Sequence, residues 1–171
     1  MAPKGHSTRP TADRARQALF NVLEHASWSR PLAGARVLDL FAGSGALGLE
    51  ALSRGAASCV FVDHDRAARE AIAQNLATLG LSAHGQILAA DATRPPAGPF
   101  DLVFADPPYG QGLAERALDG LAGDALVVVE QSIDEPALAH PDYEFLDSRR
   151  WGVARVTFAR RRSPGRTAAG S

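Results

Sequence analysis

Short apolar runs alternate with amphipathic stretches along most of the chain. Val37–Leu40, Cys59–Val62, a stretch near Gln86–Ala90, Leu102–Ala105 and Leu126–Glu130 are each dominated by apolar residues with no regular polar alternation. That pattern suits strands of a parallel sheet covered on both faces, where neither side of the strand meets water. Between these runs the spacing changes to a helical one, over Ala46–Arg54, Arg66–Leu79 and Leu113–Leu121. Ahead of the first run, Ala15, Leu19, Val22, Leu23 and Ala26 share one face and predict a helix over residues 11–26. Near the end, Tyr143–Arg150 and Val153–Ala159 flank Trp151-Gly152 with no room for a helix, which predicts an antiparallel hairpin. Together these elements predict an α/β fold: a single doubly wound, mostly parallel seven-stranded sheet closed by that hairpin. Residues 1–10, broken by Pro3, Gly5 and Pro10, read as an irregular basic lead-in. Residues 11–160 read as one domain and 161–171 as a disordered basic tail.

Length agrees with one core, since 171 residues suit a single domain. The lone cysteine, Cys59, sits in the apolar run SCVFV and reads as a buried small residue, so no disulfide framework is available. His6, His25, His64, His84 and His140 show no metal-ligand spacing. No segment reaches the roughly 18 consecutive apolar residues of a membrane span and the start is no signal peptide, so a reducing cytoplasm is the expected setting. The net charge of −1 is unevenly spread: residues 1–36 carry +4, residues 37–144 carry −11 and residues 145–171 carry +6. An acidic middle suits a positively charged small partner, and basic ends suit a polyanion, although solvated arginine-rich ends would look the same.

The candidate chemistry begins at VLDLFAGSGALGLEAL, where Gly43-x-Gly45-x-x-Gly48 follows a strand and opens a helix. With Asp63 at the end of the second strand, placed to accept hydrogen bonds from ribose hydroxyls, a nicotinamide, a flavin or S-adenosylmethionine would fit equally. Asp39 separates them. A carboxylate at the mouth of the site sits poorly beside a pyrophosphate held at a helix N-terminus. It sits well beside the ammonium and sulfonium of S-adenosylmethionine.

FDLVFADPPYG is the most specific stretch. A strand ends in Asp106-Pro107-Pro108-Tyr109, and two prolines in succession stop it and stiffen the turn. The exocyclic amine of a nucleobase is a poor nucleophile because its lone pair is delocalised into the ring. The Asp106 carboxylate and the Pro107 carbonyl can accept both of its N–H groups, which aims the lone pair and stabilises the charge that develops on nitrogen. Tyr109 offers a face for base stacking, worth about 1–3 kcal/mol. The base must first leave its stack or already be single-stranded.

Asp39-x-x-x-Gly43-x-Gly45 resembles the first motif of class I S-adenosylmethionine-dependent methyltransferases, and Asp-Pro-Pro-Tyr resembles the motif of those acting on base amines. STRPTADRARQALFNVLEH and RRWGVARVTFARR further resemble the bacterial small-subunit (16S) ribosomal RNA guanine-N2 methyltransferases, a likeness running from Thr8 to about Arg160. The resemblance implies that Asp39, Phe41, Gly43 and Gly45 line the methionine side of S-adenosyl-L-methionine. It places Asp63 on the ribose and Asp91 with Ala92 near the adenine amine. It implies Asp106, Pro107 and Tyr109 as catalytic residues. Arg9, Arg14, Arg16, Arg149 and Arg150, with Arg155, become contacts to RNA phosphate, which fix register without reading sequence. The implied partner is ribosomal RNA, as a small subunit or assembly intermediate, with the protein a monomer away from membranes. Members of that family usually begin with an extra basic strand or hairpin, and this sequence starts only a few residues before the Arg-Pro-Thr segment. DNA or other RNA amino-methylation, and a non-catalytic subunit that binds cofactor and presents RNA, are the competing expectations; an NAD-dependent oxidoreductase is a more distant one.

Overall fold

The computed structural model describes residues 9–162. The elements run α1 (Arg9–His25), β1 (Arg36–Leu40), α2 (Ala46–Ser53), β2 (Ser58–Val62), α3 (Arg66–Thr78), β3 (Gly85–Leu88), β4 (Leu102–Ala105), α4 (Leu113–Gly120), β5 (Leu126–Ser132), β6 (Tyr143–Trp151) and β7 (Ala154–Arg161). Most of the expected lead-in, and the tail beyond Arg162, lie outside the described residues. Where the lead-in is described, the expectation is corrected: α1 starts at Arg9, with Pro10 at its second position. Proline breaks a helix interior, but in the first turn its missing N–H has no partner to lose.

The seven strands form one sheet in the order β3-β2-β1-β4-β5-β7-β6. The first five pair in parallel, and β7 runs antiparallel to both of its neighbours, β5 and β6. Because successive side chains of a strand face opposite ways, the sheet feeds two cores. Val37, Phe61, Leu102, Phe104, Leu126 and Val128 pack with Leu19, Phe20 and Leu23 of α1, Leu49 and Leu52 of α2, and Ile72 and Leu76 of α3. Leu38, Leu40, Val103, Ala105, Val127 and Val129 pack with Ala114, Ala117 and Leu118 of α4 on the other side. The Phe20 and Phe104 rings lie 5.6 Å apart, seating α1 on the middle of the sheet.

Chain order reverses between β1 and β4, so the carboxyl ends of these strands open a crevice where ligands of such folds are received. Gly48 sets how near α2 comes to the sheet. A Cβ there would lie 2.5 Å from the Phe61 ring and 2.6 Å from the Cys59 sulfur. The third glycine of the motif therefore serves packing between helix and strand.

Candidate active site

The loop after β1 is built on left-handed backbone. Phe41, Gly43 and Gly45 have φ of 55°, 60° and 81°. Phe41 is the one non-glycine residue with positive φ among those described, a conformation costing roughly 1–2 kcal/mol for a residue with a side chain. Partly buried against the core on the α4 side, it also lines a cavity, and strain of this kind gathers at ligand sites.

Two carboxylates hold the loop. Asp63, at the end of β2, accepts hydrogen bonds from Gly43 N–H (2.8 Å) and Asp65 N–H (2.9 Å). Asp39 accepts one from Gly48 N–H at 3.0 Å, in the first turn of α2. Here the sequence expectation is revised: Asp39 is 2% exposed and turned under the helix N-terminus, not standing at the mouth of the site. Its residue number places it on the same sheet face as Val37, and α2 covers that face. Burial pushes its carboxyl up to about 8, against the pull of the Gly48 N–H, with the charges of Asp106 and Asp63 adding to the rise.

One cavity of about 690 Å3 is lined by Phe41, Asp63, Ala92, Asp106, Pro107 and Tyr109, with His64, Asp65, Arg66 and Pro108. Its size is in the range of small-molecule sites. Asp106 leaves β4 at its carboxyl end and remains accessible through this opening. Desolvation by the surrounding protein, then the nearby charge of Glu130, push its carboxyl up to about 7. Tyr109 stands half exposed beside it, its phenol raised by burial and by the Glu130 charge. The turn is tied down behind: Gly110 N–H donates to the Glu135 carboxylate (3.0 Å), which also accepts from Ser132 N–H (3.1 Å).

The remaining expected residues divide. Gly43 borders open space, where a Cβ would meet nothing within 4 Å, whereas a Cβ on Gly45 would press on Ile72 at 3.1 Å and Phe61 at 3.2 Å. Asp91 is exposed and spends its carboxylate on Thr93, accepting from its N–H (2.9 Å) and hydroxyl (2.7 Å). Its neighbour Ala92 reaches the cavity wall. Arg9 opens α1, and Arg14 and Arg150 are exposed. Arg16 is engaged with Asp13 (2.9 Å) and Glu50 (3.4 Å), and Arg149 with Asp147 (2.9 Å). Arg155 is not presented for phosphate: its guanidinium donates to the carbonyls of Glu135 (3.0 Å) and Ile133 (3.5 Å). Glu130 went unread in the sequence, although an acid closing the apolar run LVVVE is a signal for it. Among the described residues no cluster of His, Cys, Asp or Glu could hold a metal ion, and no helix is long and apolar enough to cross a membrane.

Comparison with known proteins fits this geometry. Residues 1–160 match the family described as Conserved hypothetical protein 95. The chain belongs to that family. Within reach of this Conserved hypothetical protein 95 chain, Ribosomal RNA small subunit methyltransferase D of Escherichia coli K12 is 39% identical over 142 residues, 77% of this chain and 68% of the relative. The Haemophilus influenzae protein of the same name is 34% identical over 158 residues, 85% and 79% of the two chains. The solved structure of yhhF from Escherichia coli superposes with a TM-score of 0.76 at 34% identity, covering 89% of this chain and 86% of that one. The fold is the Rossmann-like one of methyltransferases, as the sequence predicts.

Proposed function

We propose that this chain transfers a methyl group from S-adenosyl-L-methionine to the exocyclic N2 amine of a guanine in small-subunit ribosomal RNA. The observation that carries the reading is the shared cavity, in which Asp106, Pro107 and Tyr109 line the same space as Phe41, Asp63 and Ala92. The names of the Escherichia coli and Haemophilus influenzae relatives support the substrate class. Guanine N2 is the finer part of the proposal and rests on the likeness of the Arg-Pro-Thr helix and the C-terminal hairpin.

The residues present suit the cofactor. The cavity offers carboxylate acceptors at Asp63 and Asp106 for a ligand rich in hydroxyl, amine and cationic groups, and Gly43 leaves room for close approach. When bound, S-adenosylmethionine supplies a methyl group made electrophilic by its sulfonium. Asp63 keeps lone pairs for ribose hydroxyls while its bonds to Gly43 and Asp65 hold the loop still. Phe41 and Ala92 give apolar walls. Asp106 accepts an N–H of the target amine and fixes the direction of its lone pair; the Pro107 carbonyl takes the other. Tyr109 stacks on the base. A carboxyl pushed up to about 7 is well matched to receive the proton that the methylated nitrogen sheds.

Incubating the protein with tritiated S-adenosylmethionine and small subunits lacking the modification should label the RNA, with N2-methylguanosine the labelled nucleoside on digestion. Asp106→Ala should abolish labelling and keep affinity for S-adenosylhomocysteine. Label appearing only in DNA or in another nucleoside would overturn the substrate, and undiminished turnover in Asp106→Ala would overturn the mechanism.

A further inference from the structure

Behind Asp106 the protein holds a second cavity, of about 490 Å3, between α1 and the β6–β7 turn. Its walls are largely apolar, with Ala12, Ala15 and Leu19 from α1 and Trp151 and Val156 from the hairpin; Arg16 also lines it, but its guanidinium is engaged by Asp13 and Glu50. Two carboxylates, Asp106 and Glu130, share this space. They are neighbours by register. Ala105, the last residue of β4, pairs with Val129 of β5, so Asp106, just past the end of its strand, and Glu130 leave adjacent positions in the same direction, and both line this cavity. That way is toward α1, the side taken by Phe104 and Val128 two residues earlier. Burial raises the Glu130 carboxyl, Tyr109 pulls it partway back, and the Glu130 charge in turn raises the Tyr109 phenol.

A half-buried acid at an apolar wall needs donors to face it. The Watson–Crick edge of guanine carries donors on two adjacent atoms, N1–H and the N2 amine. Adenine and cytosine carry an amine beside a ring nitrogen that is an acceptor. A second carboxylate next to the one that holds the amine therefore complements guanine and repels the lone pair of the other two bases. Resting on the proposed guanine-N2 activity, we infer that Glu130 accepts the N1–H of the target guanine and so selects the base, acting as a specificity residue beside Asp106.

The test replaces one atom pair on each side. Small subunits are reconstituted from ligated ribosomal RNA bearing guanine or 2-aminopurine at the methylated position. 2-Aminopurine keeps the amine but presents a lone pair at N1. The wild-type protein should prefer guanine in kcat/KM by about 10- to 100-fold, the usual worth of a good base-edge contact. Glu130→Gln, whose amide can donate to that lone pair, should bring the ratio close to one while leaving calorimetric affinity for S-adenosylhomocysteine within about twofold. Glu130→Asp should restore most of the preference. A preference unchanged in Glu130→Gln overturns the inference, as does loss of S-adenosylhomocysteine binding with selectivity kept, which would make the cavity part of the cofactor site. A wild-type protein that methylates neither base refutes the guanine-N2 reading itself.

Discussion

Gly48→Ala adds one methyl group where α2 crosses β2. Ordinary contact begins at 3.4 Å, and the new carbon would stand 2.5 Å from the Phe61 ring and 2.6 Å from the Cys59 sulfur, a shortfall of about 0.8–0.9 Å on two atoms. Neither can retreat: Phe61 is 0% and Cys59 1% exposed, both locked in a central strand. Overpacking of this kind costs about 1–3 kcal/mol, and two rigid contacts place this site at the upper end. Against it, alanine gains roughly 1 kcal/mol over glycine in helix propensity. The net expectation is a loss of about 2 kcal/mol, which for a domain of this size lowers Tm by about 4–8 °C. Thermal unfolding followed by circular dichroism, with urea titrations at a common slope, reads it directly. Cys59→Ala in the Gly48→Ala background removes one of the two obstacles, so the double variant should be more stable than the sum of the singles allows. A Gly48→Ala protein as stable as the parent, or strict additivity in the pair, would refute the packing argument.

Turnover should rise about tenfold per pH unit below 7 and level off above, because Asp106 with its carboxyl near 7 must be charged to accept the amine; Asp106→Asn should flatten the profile. The same raised value makes the protonated carboxyl the favoured form in the fold. Its stabilising contribution is therefore lost as pH climbs from the ordinary carboxylate value to about 7, and Asp106→Asn should gain stability on the parent across that window, read by melts at stepped pH. Asp63→Ala removes the acceptor for Gly43 N–H and Asp65 N–H, and should weaken S-adenosylhomocysteine binding at least tenfold by calorimetry, with a smaller change in Tm. Cys59, buried with its thiol held in the neutral form, should resist iodoacetamide in the folded protein and react promptly in urea.

The sheet was legible because its strands announce themselves. Leu102–Ala105 has the same bounds in sequence and structure, and Tyr143–Trp151 differs by one residue. Helix ends were less so: Pro10 looks like a stop in one dimension and is tolerated in three because it falls in the first turn of α1. The Asp-Pro-Pro-Tyr turn could be read because its residue types are unusual together. The orientation of Asp39 could not, since it depends on α2 folding back to bring Gly48 N–H within 3.0 Å. Nor could the partnership of Asp106 and Glu130, which comes from the register of two strands separated by a helix. Arginines gave the weakest signal, as Arg155 illustrates by turning inward to two backbone carbonyls.

β7 follows β6 along the chain yet lies between it and β5. During synthesis the polypeptide therefore emerges with β5 as an open edge, and β6 has no place on the sheet until Ala154–Arg161 has left the ribosome. An unpaired, strongly apolar edge is a template for mispairing with other nascent chains. The hairpin wall of the Glu130 cavity is thus laid down only after both β5 and β6 have emerged, so that cavity closes late in synthesis.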